Sequence, residues 1–140
     1  MIKPVIVQEK KSKDNGCPIF PGRSRQEIGQ KGESLAALAL QKKGMQVIGR
    51  NIRSKSGEID LAVLDGGVLV FVEVKTWPAY GLENLRFRIT PKKQRRIIET
   101  AKYFLESHRK YNNRSIRFDV VFLRPREPMV HLVSAFTESP

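Results

Sequence analysis

The run SGEIDLAVLDGGVLVFVEVK, from Ser56 to Lys75, constrains this chain more than any other stretch. Its Val, Leu, Ile and Phe residues flank an Asp65-Gly66-Gly67 turn, the pattern of a buried β-hairpin. Yet it also holds Glu58, Asp60, Glu73 and Lys75. Burying an unpaired charge costs several kcal/mol or more, so these four residues need partners or a ligand.

Side-chain parity brings them together. On the first strand Glu58, Asp60, Ala62 and Leu64 share a face; on the second, Leu69, Phe71, Glu73 and Lys75 do. A two-residue Gly66-Gly67 loop pairs Asp65 with Val68, which sets Asp60 opposite Glu73 and Glu58 opposite Lys75. Like charges directly opposed destabilise a sheet. A divalent cation would resolve the conflict. Hard cations such as Mg²⁺ take carboxylate oxygens, backbone carbonyls and water, and Mn²⁺ could substitute. Asp60 and Glu73 can supply the carboxylates, and Val74, between Glu73 and Lys75, a backbone carbonyl. Water on such an ion is a better nucleophile, and Lys75 could orient it or stabilise charge developing on a phosphate. Cross-strand salt bridges, Glu58–Lys75 among them, would satisfy the same spacing.

The ordered motifs carry a resemblance. GEIDL followed by FVEVK resembles the Asp…Glu-x-Lys core of the PD-(D/E)XK nuclease superfamily. The wider set of GE, NIR, GEIDL, FVEVK, TPKKQRRIIETAKYFL and RFDVV, spread from about Arg25 to Phe136, is similar to the YraN family of small bacterial proteins, itself similar to archaeal Holliday-junction resolvases. The resemblance implies a restriction-endonuclease-like fold, Asp60 and Glu73 as metal ligands and Lys75 as the catalytic lysine. It also implies that Glu33, on the first helix, adds a contact to metal or water. From the helix alone Glu33 reads as a solvated glutamate at the edge of the apolar arc. The superfamily's proline before the aspartate is Ile59 here.

The rest of the chain is read around that hairpin. Residues 1–22 mix Lys, Pro, Gly, Ser and Asn without a period and read as a flexible basic arm, with a short strand admissible at Val5–Val7. Residues 23–140 form one domain. Ser24 to Gly44 reads as a helix with Ser24 as N-cap, Gly44 as C-terminal stop and Ile28, Gly32, Leu35, Ala36, Ala39 and Leu40 on its apolar arc. Gly29 and Gly32 on that arc imply a close packing partner. MQVIGRNIR precedes the hairpin as a further strand. TPKKQRRIIETAKYFLESH opens with Thr90 as N-cap and Pro91 at the first helical position, and buries Ile97, Ile98, Ala101, Phe104 and Leu105. IRFDVVFL is a strand with Arg117, Asp119 and Val121 on one face, where Asp119 either supports the site or pairs with an arginine. MVHLVSAF reads as a final edge strand with His131 structural. The expected fold is therefore α/β, with a mixed central sheet in the order helix, strand, strand, strand, helix, strand and a last strand, and a right-handed crossover through the second helix.

A formal charge of +12 on 140 residues points to a polyanionic partner, above all nucleic acid. Lys92, Lys93, Arg95 and Arg96 crowd the start of the second helix, where the macrodipole favours acids, so a partner phosphate would offset them. The loop TWPAYGLENLRFRI adds Trp77, Tyr80, Arg86 and Arg88, suited to stacking bases and holding phosphates, or, equally, to a loop anchored on the core by Trp77. The single cysteine, Cys17, excludes an intrachain disulfide and suits a reducing cytoplasm. No signal-peptide core or membrane-length apolar run is present, and no phosphate-binding glycine loop or serine-hydrolase elbow. These features converge on a Mg²⁺-dependent endonuclease of branched or structured DNA. A homodimer would suit a junction, which presents paired scissile phosphates. A non-catalytic nucleic-acid-binding module on the same fold, or an RNA-directed nuclease, are the alternatives.

Overall fold

The computed structural model describes residues 5–8, 25–76, 89–123 and 127–138. The elements run β1 (Val5–Gln8), α1 (Arg25–Lys42), β2 (Gln46–Arg53), β3 (Glu58–Asp65), β4 (Val68–Thr76), α2 (Pro91–Ser107), β5 (Ser115–Leu123) and β6 (Val130–Phe136). They build one mixed sheet in the order β1-β6-β5-β4-β3-β2. Only β4 and β5 run parallel, because α2 carries the chain back to the same end of the sheet between them. The α/β class and element order expected from sequence are present, and the order is compatible with a restriction-endonuclease-like fold.

Two apolar clusters fill the two faces of the sheet. Ile97, Ile98, Ala101 and Phe104 of α2 pack on Ala62, Leu69, Phe71, Phe118, Val120 and Phe122. Ala36, Ala37 and Leu40 of α1 pack on Leu61, Val63, Val70, Val72 and Val121. The period-2 alternation of β4 and β5 is thus read out directly as two cores. On α2 the expected cap and stripe are present: Lys93 N–H donates to Thr90 Oγ1 at 3.1 Å, Pro91 opens the helix, and Thr100 joins the buried residues. On α1, Gly44 sits at φ +91° just beyond the helix, and Met45 N–H reaches back to the Leu40 carbonyl at 3.1 Å. That is a left-handed C-terminal stop which a β-carbon would strain.

Two expectations need correction. The apolar arc of α1 is rotated: Leu35 is 38% exposed, while Ala37 is fully buried in its place. The helix approaches the sheet through small residues, Gly32, Ala36 and Ala37, and the larger Leu35 is left at the rim. Second, β6 is not an edge. The short strand β1 pairs outside it, antiparallel, from Val5↔Val133 to Gln8↔Val130. The short strand admissible at Val5–Val7 within the basic arm is present as Val5–Gln8, and it satisfies the outer hydrogen-bonding groups of β6. Ser24, Gly29's side-chain surroundings and the loop bearing Trp77, Tyr80, Arg86 and Arg88 lie outside what is described.

Candidate active site

The β3–β4 hairpin has the register its Gly-Gly turn dictates, with Asp65↔Val68, Leu64↔Leu69 and so on to Leu61↔Val72. There the pairing ends. The next pair would be Asp60↔Glu73, and instead the Asp60 side chain enters the gap: Val74 N–H donates to Asp60 Oδ2 at 2.7 Å. A carboxylate has replaced the backbone acceptor. In an extended strand the N–H and C=O of one residue share an edge, so the Val74 carbonyl belongs to the same opening.

A matching irregularity lies one strand away. Opposite Asp60, Asn51 of β2 has φ +49°, in the left-handed region, and the β2–β3 register shifts between Val47 and Gly49. Alternation breaks with it. Ile59 packs in the α2-side core beside Ala62, although Leu61 between them faces α1. Asp60 therefore does not reach Glu73 as a simple cross-strand neighbour. It does so because β3 turns away from β4 at that point. Glu58 is carried off in the same movement. It pairs with Arg53 of β2, Nε to Oε2 3.7 Å, and not with Lys75, which corrects the register expected for the open end.

Three acids and two lysines meet around this opening. Glu33 of α1 contacts Asp60 through a carboxyl–carboxylate hydrogen bond. Such a bond requires a proton. Asp60 holds it: burial first, and then the nearby Glu73 charge, push its carboxyl up to about 8, against the opposing Val74 N–H. Glu33 is also raised, mainly by burial, with the charges of Glu58 and Glu73 adding to it. On the other side Glu73, 7% exposed, receives two ammonium groups on one oxygen. Lys93 Nζ is 2.5 Å from Glu73 Oε1 and Lys75 Nζ 3.4 Å from it. Burial and the adjacent Lys93 pull Lys75 below the ordinary lysine range. Burial opposes the charge on Lys93 as well, but its contact with Glu73 outweighs that and holds it above the ordinary range.

The structure thus brings Glu33, Asp60, Glu73 and Lys75 together. It assigns Lys93 differently from its three basic neighbours, which line a separate groove. The sequence carried a signal for this. Lys93 and Ile97 are four residues apart, so Lys93 continues the sheet-facing stripe of α2 toward the end of β4. A second residue overlooked was Thr76. A β-carbon at Gly32 would lie 2.5 Å from Thr76 Oγ1, so the glycine lets α1 pass close enough to the end of β4 for Glu33 to reach Asp60. The close partner that the helix glycines implied is found there.

Asp119 does not belong to this group. Arg117 binds it in a fork, Nε to Oδ1 and Nη2 to Oδ2 both at 2.9 Å, while His131 Nε2 lies 2.7 Å from Oδ2 and Ser134 N–H donates to Oδ1 at 3.0 Å. Burial alone would raise its carboxyl; these contacts outweigh burial and hold it below the usual range. Arg117 reaches on to Asp65 at 3.0 Å, at the hairpin-turn end of β3, opposite to the end that holds Asp60. Pairing with an arginine, one of its two expected roles, is the observed one, and His131 is structural.

The donor set suits a hard divalent cation. Among the described residues no three acids, histidines or cysteines already converge as a metal cluster. Mg²⁺ does not require that, since it keeps several waters and takes one or two carboxylates, with substrate phosphates completing its shell. Asp60, Glu73 and the Val74 carbonyl could supply the protein's share, with Glu33 behind Asp60. Burial first, and then the neighbouring Glu73 charge, raise the Asp60 carboxyl, and a bound cation would oppose both.

Comparison with known proteins places these residues in a family. Residues 32–123 match the model of the "Uncharacterised protein family UPF0102". The chain is 45% identical to a UPF0102 protein of Treponema denticola over 122 residues, covering 78% of this chain and 94% of that one. It is 43% identical to one from Coxiella burnetii (69% and 80% covered) and 36% identical to one from Bradyrhizobium (80% and 78%). The matched span runs from Gly32 to the end of β5 and contains every residue of the carboxylate–lysine opening, and the chain belongs to family UPF0102, the YraN family that its motifs resemble.

Proposed function

We propose that this protein is a metal-dependent endonuclease that hydrolyses phosphodiester bonds in structured or branched DNA. One observation carries the reading: Asp60 leaves the β3–β4 pairing to lie beside Glu73 and the Val74 backbone, with Lys75 on Glu73. A sheet built only for stability would keep its ladder and avoid burying one acid beside another. A site that gathers hard ligands at a strand opening requires both features.

In this reading Asp60, Glu73 and the Val74 carbonyl hold Mg²⁺, or Mn²⁺ in its place. The ion, when bound, polarises the phosphate and lowers the pKa of water. The residues of the chain do the rest. Asp60 must give up its proton to serve as a ligand, and Glu33 is placed to accept a hydrogen bond or hold water. Lys75, its ammonium weakened by burial, sits where it can orient the attacking water and offset charge on the phosphoryl oxygens. Lys92, Arg95 and Arg96 hold phosphates outside the reacting group. The +12 charge supports a nucleic-acid substrate.

The test is cleavage of labelled four-way junction, flap, duplex, single-stranded DNA and RNA substrates with Mg²⁺ or Mn²⁺, alongside Asp60→Asn and Lys75→Ala. Branched DNA should be cut by the wild type alone, with Lys75→Ala binding DNA normally but losing about 10²-fold or more in rate. Cleavage that survives Asp60→Asn, or none on any substrate, overturns the reading. Preference for RNA would replace its substrate.

A further inference from the structure

Beside the carboxylate opening lies a second feature that the nuclease chemistry does not use. An open groove of about 1100 Å³ runs between the β2–β3 turn and the first turns of α2. Arg53 and Lys55 line it from the turn, and Lys92, Arg95 and Arg96 from the helix. Its two acids are already engaged: Glu58 with Arg53 at 3.7 Å, and Glu99 with Lys102 at 3.6 Å.

The groove is a built arrangement. The turn is fastened to the helix by a hydroxyl pair, Ser54 Oγ to Thr100 Oγ1 at 2.8 Å, and Thr100 is fully buried. Within the turn, Ser54 N–H donates to the Gly57 carbonyl at 2.9 Å and Ser56 N–H to Ser54 Oγ at 3.1 Å. Gly57 presses against α2 closely enough that a β-carbon there would stand 3.2 Å from Arg96 Cβ. Lys92, Arg95, Arg96 and Glu99 are spaced i, i+3, i+4, i+7 and share one helix face. Two elements are thus locked so that Lys55, and Arg53 with its charge partly offset by Glu58, lie across open space from Lys92, Arg95 and Arg96. Such a pairing is repulsive unless a polyanion lies between them.

We infer that this groove is the docking track for a duplex arm of the DNA, gripping the phosphate backbone of one strand without reading its bases. The inference deepens the nuclease reading and rests on it for the identity of the partner. The lining decides between duplex and single strand. Among the described residues it consists of arginine, lysine, serine, glycine and glutamate, none of them an aromatic on which an unpaired base could stack. Single-strand grooves combine basic charge with such stacking platforms; a duplex presents mainly phosphates. Glu58, two residues before Asp60 in β3, is one of the lining residues, so the groove adjoins the strand that carries the carboxylate opening.

The test is fluorescence anisotropy in EDTA, where no cleavage occurs, with a 20-base-pair duplex, the single strand and an RNA duplex of the same sequence at several salt concentrations. Arg53→Gln/Lys55→Gln should weaken duplex binding alike for unrelated sequences and flatten the slope of log K against log salt by up to about two units. Lys55→Gln alone should remove about one. Lys110→Gln, an exposed cation on the turn after α2, should change neither affinity nor slope. The Arg53–Glu58 pair is exposed (77% and 66%), so its loss should leave the melting temperature in place and the variants folded. An unchanged slope in the double variant, tighter binding of the single strand, or tighter binding of the RNA duplex would each overturn the track. None of these results bears on whether Asp60 and Lys75 cut DNA, which the cleavage panel decides separately.

Discussion

The ammonium of Lys93 lies on the same Glu73 oxygen as that of Lys75, and it is the closer of the two, at 2.5 Å against 3.4 Å. A buried acid flanked by two lysines is already neutralised without any metal. A divalent ion that takes Glu73 as a ligand therefore competes with Lys93 for its charge.

Removing that competitor should strengthen metal binding. Lys93→Met should tighten Mg²⁺ binding to the free protein about tenfold, which is about 1.4 kcal/mol, as measured by isothermal calorimetry. Weaker binding in the variant would mean that Lys93 supports the ligand set, and that metal and ammonium do not compete.

Asp60 supplies a pH dependence of unusual sign. Its folded carboxyl is raised to about 8 from 3.8, so between those values the folded chain keeps a proton that the unfolded chain has released. Stability contributed by this group is complete below the ordinary carboxyl range and is lost as pH rises through about 8. Metal-free thermal melts should show a decline over that window. Asp60→Asn should flatten the decline and leave the protein no less stable at pH 8. A sharp drop in melting temperature at pH 8 for this variant would make Asp60 a structural residue.

The same proton should appear on metal binding. At pH 7 Mg²⁺ must displace it from Asp60, so binding should release about one proton and affinity should rise with pH. Calorimetry in buffers of different ionisation enthalpy measures the released proton directly. Proton-free binding at pH 7 would show that the ion does not use Asp60.

Asp119 should behave in the opposite way to Asp60. It is 1% exposed and holds Arg117, His131 and the Ser134 N–H. Asp119→Ala leaves a buried histidine and guanidinium short of their partner, and should cost on the order of 3 kcal/mol in denaturant unfolding. Mg²⁺ affinity, measured on whatever fraction remains folded, should be unchanged. A variant of wild-type stability would require another role for the network.

Much of this was legible in the chain itself. Gly66-Gly67 determines the hairpin register, and Thr90-Pro91 places the start of α2, because both signals are local. Asp60 and Glu73 stood out as misplaced charges for the same reason. The manner of their meeting was not legible. It accompanies the left-handed Asn51 and the shift in β2, and neither is dictated by residues near Asp60 in sequence. Parity, carried past Leu61, therefore sent Glu58 to Lys75 when it belongs with Arg53. Lys93 was hidden by its company. Among four neighbouring cations, only its spacing from Ile97 distinguished the one that turns inward. Leu35 was misjudged because helix periodicity describes how apolar residues cluster, whereas the distance between helix and sheet decides which of them fits.

That distance gives Gly32 a meaning beyond packing. The residue has no charge, binds nothing and takes no part in any proton movement, yet one added methyl would collide with Thr76 Oγ1. Unless Thr76 turns its hydroxyl away, the helix must lift, and Glu33 is the very next residue along it. The acid would be withdrawn from Asp60 with every charged side chain still in the sequence. The opening can be altered without touching any of its charged groups, and a roster of acids and lysines alone would not reveal that it had happened.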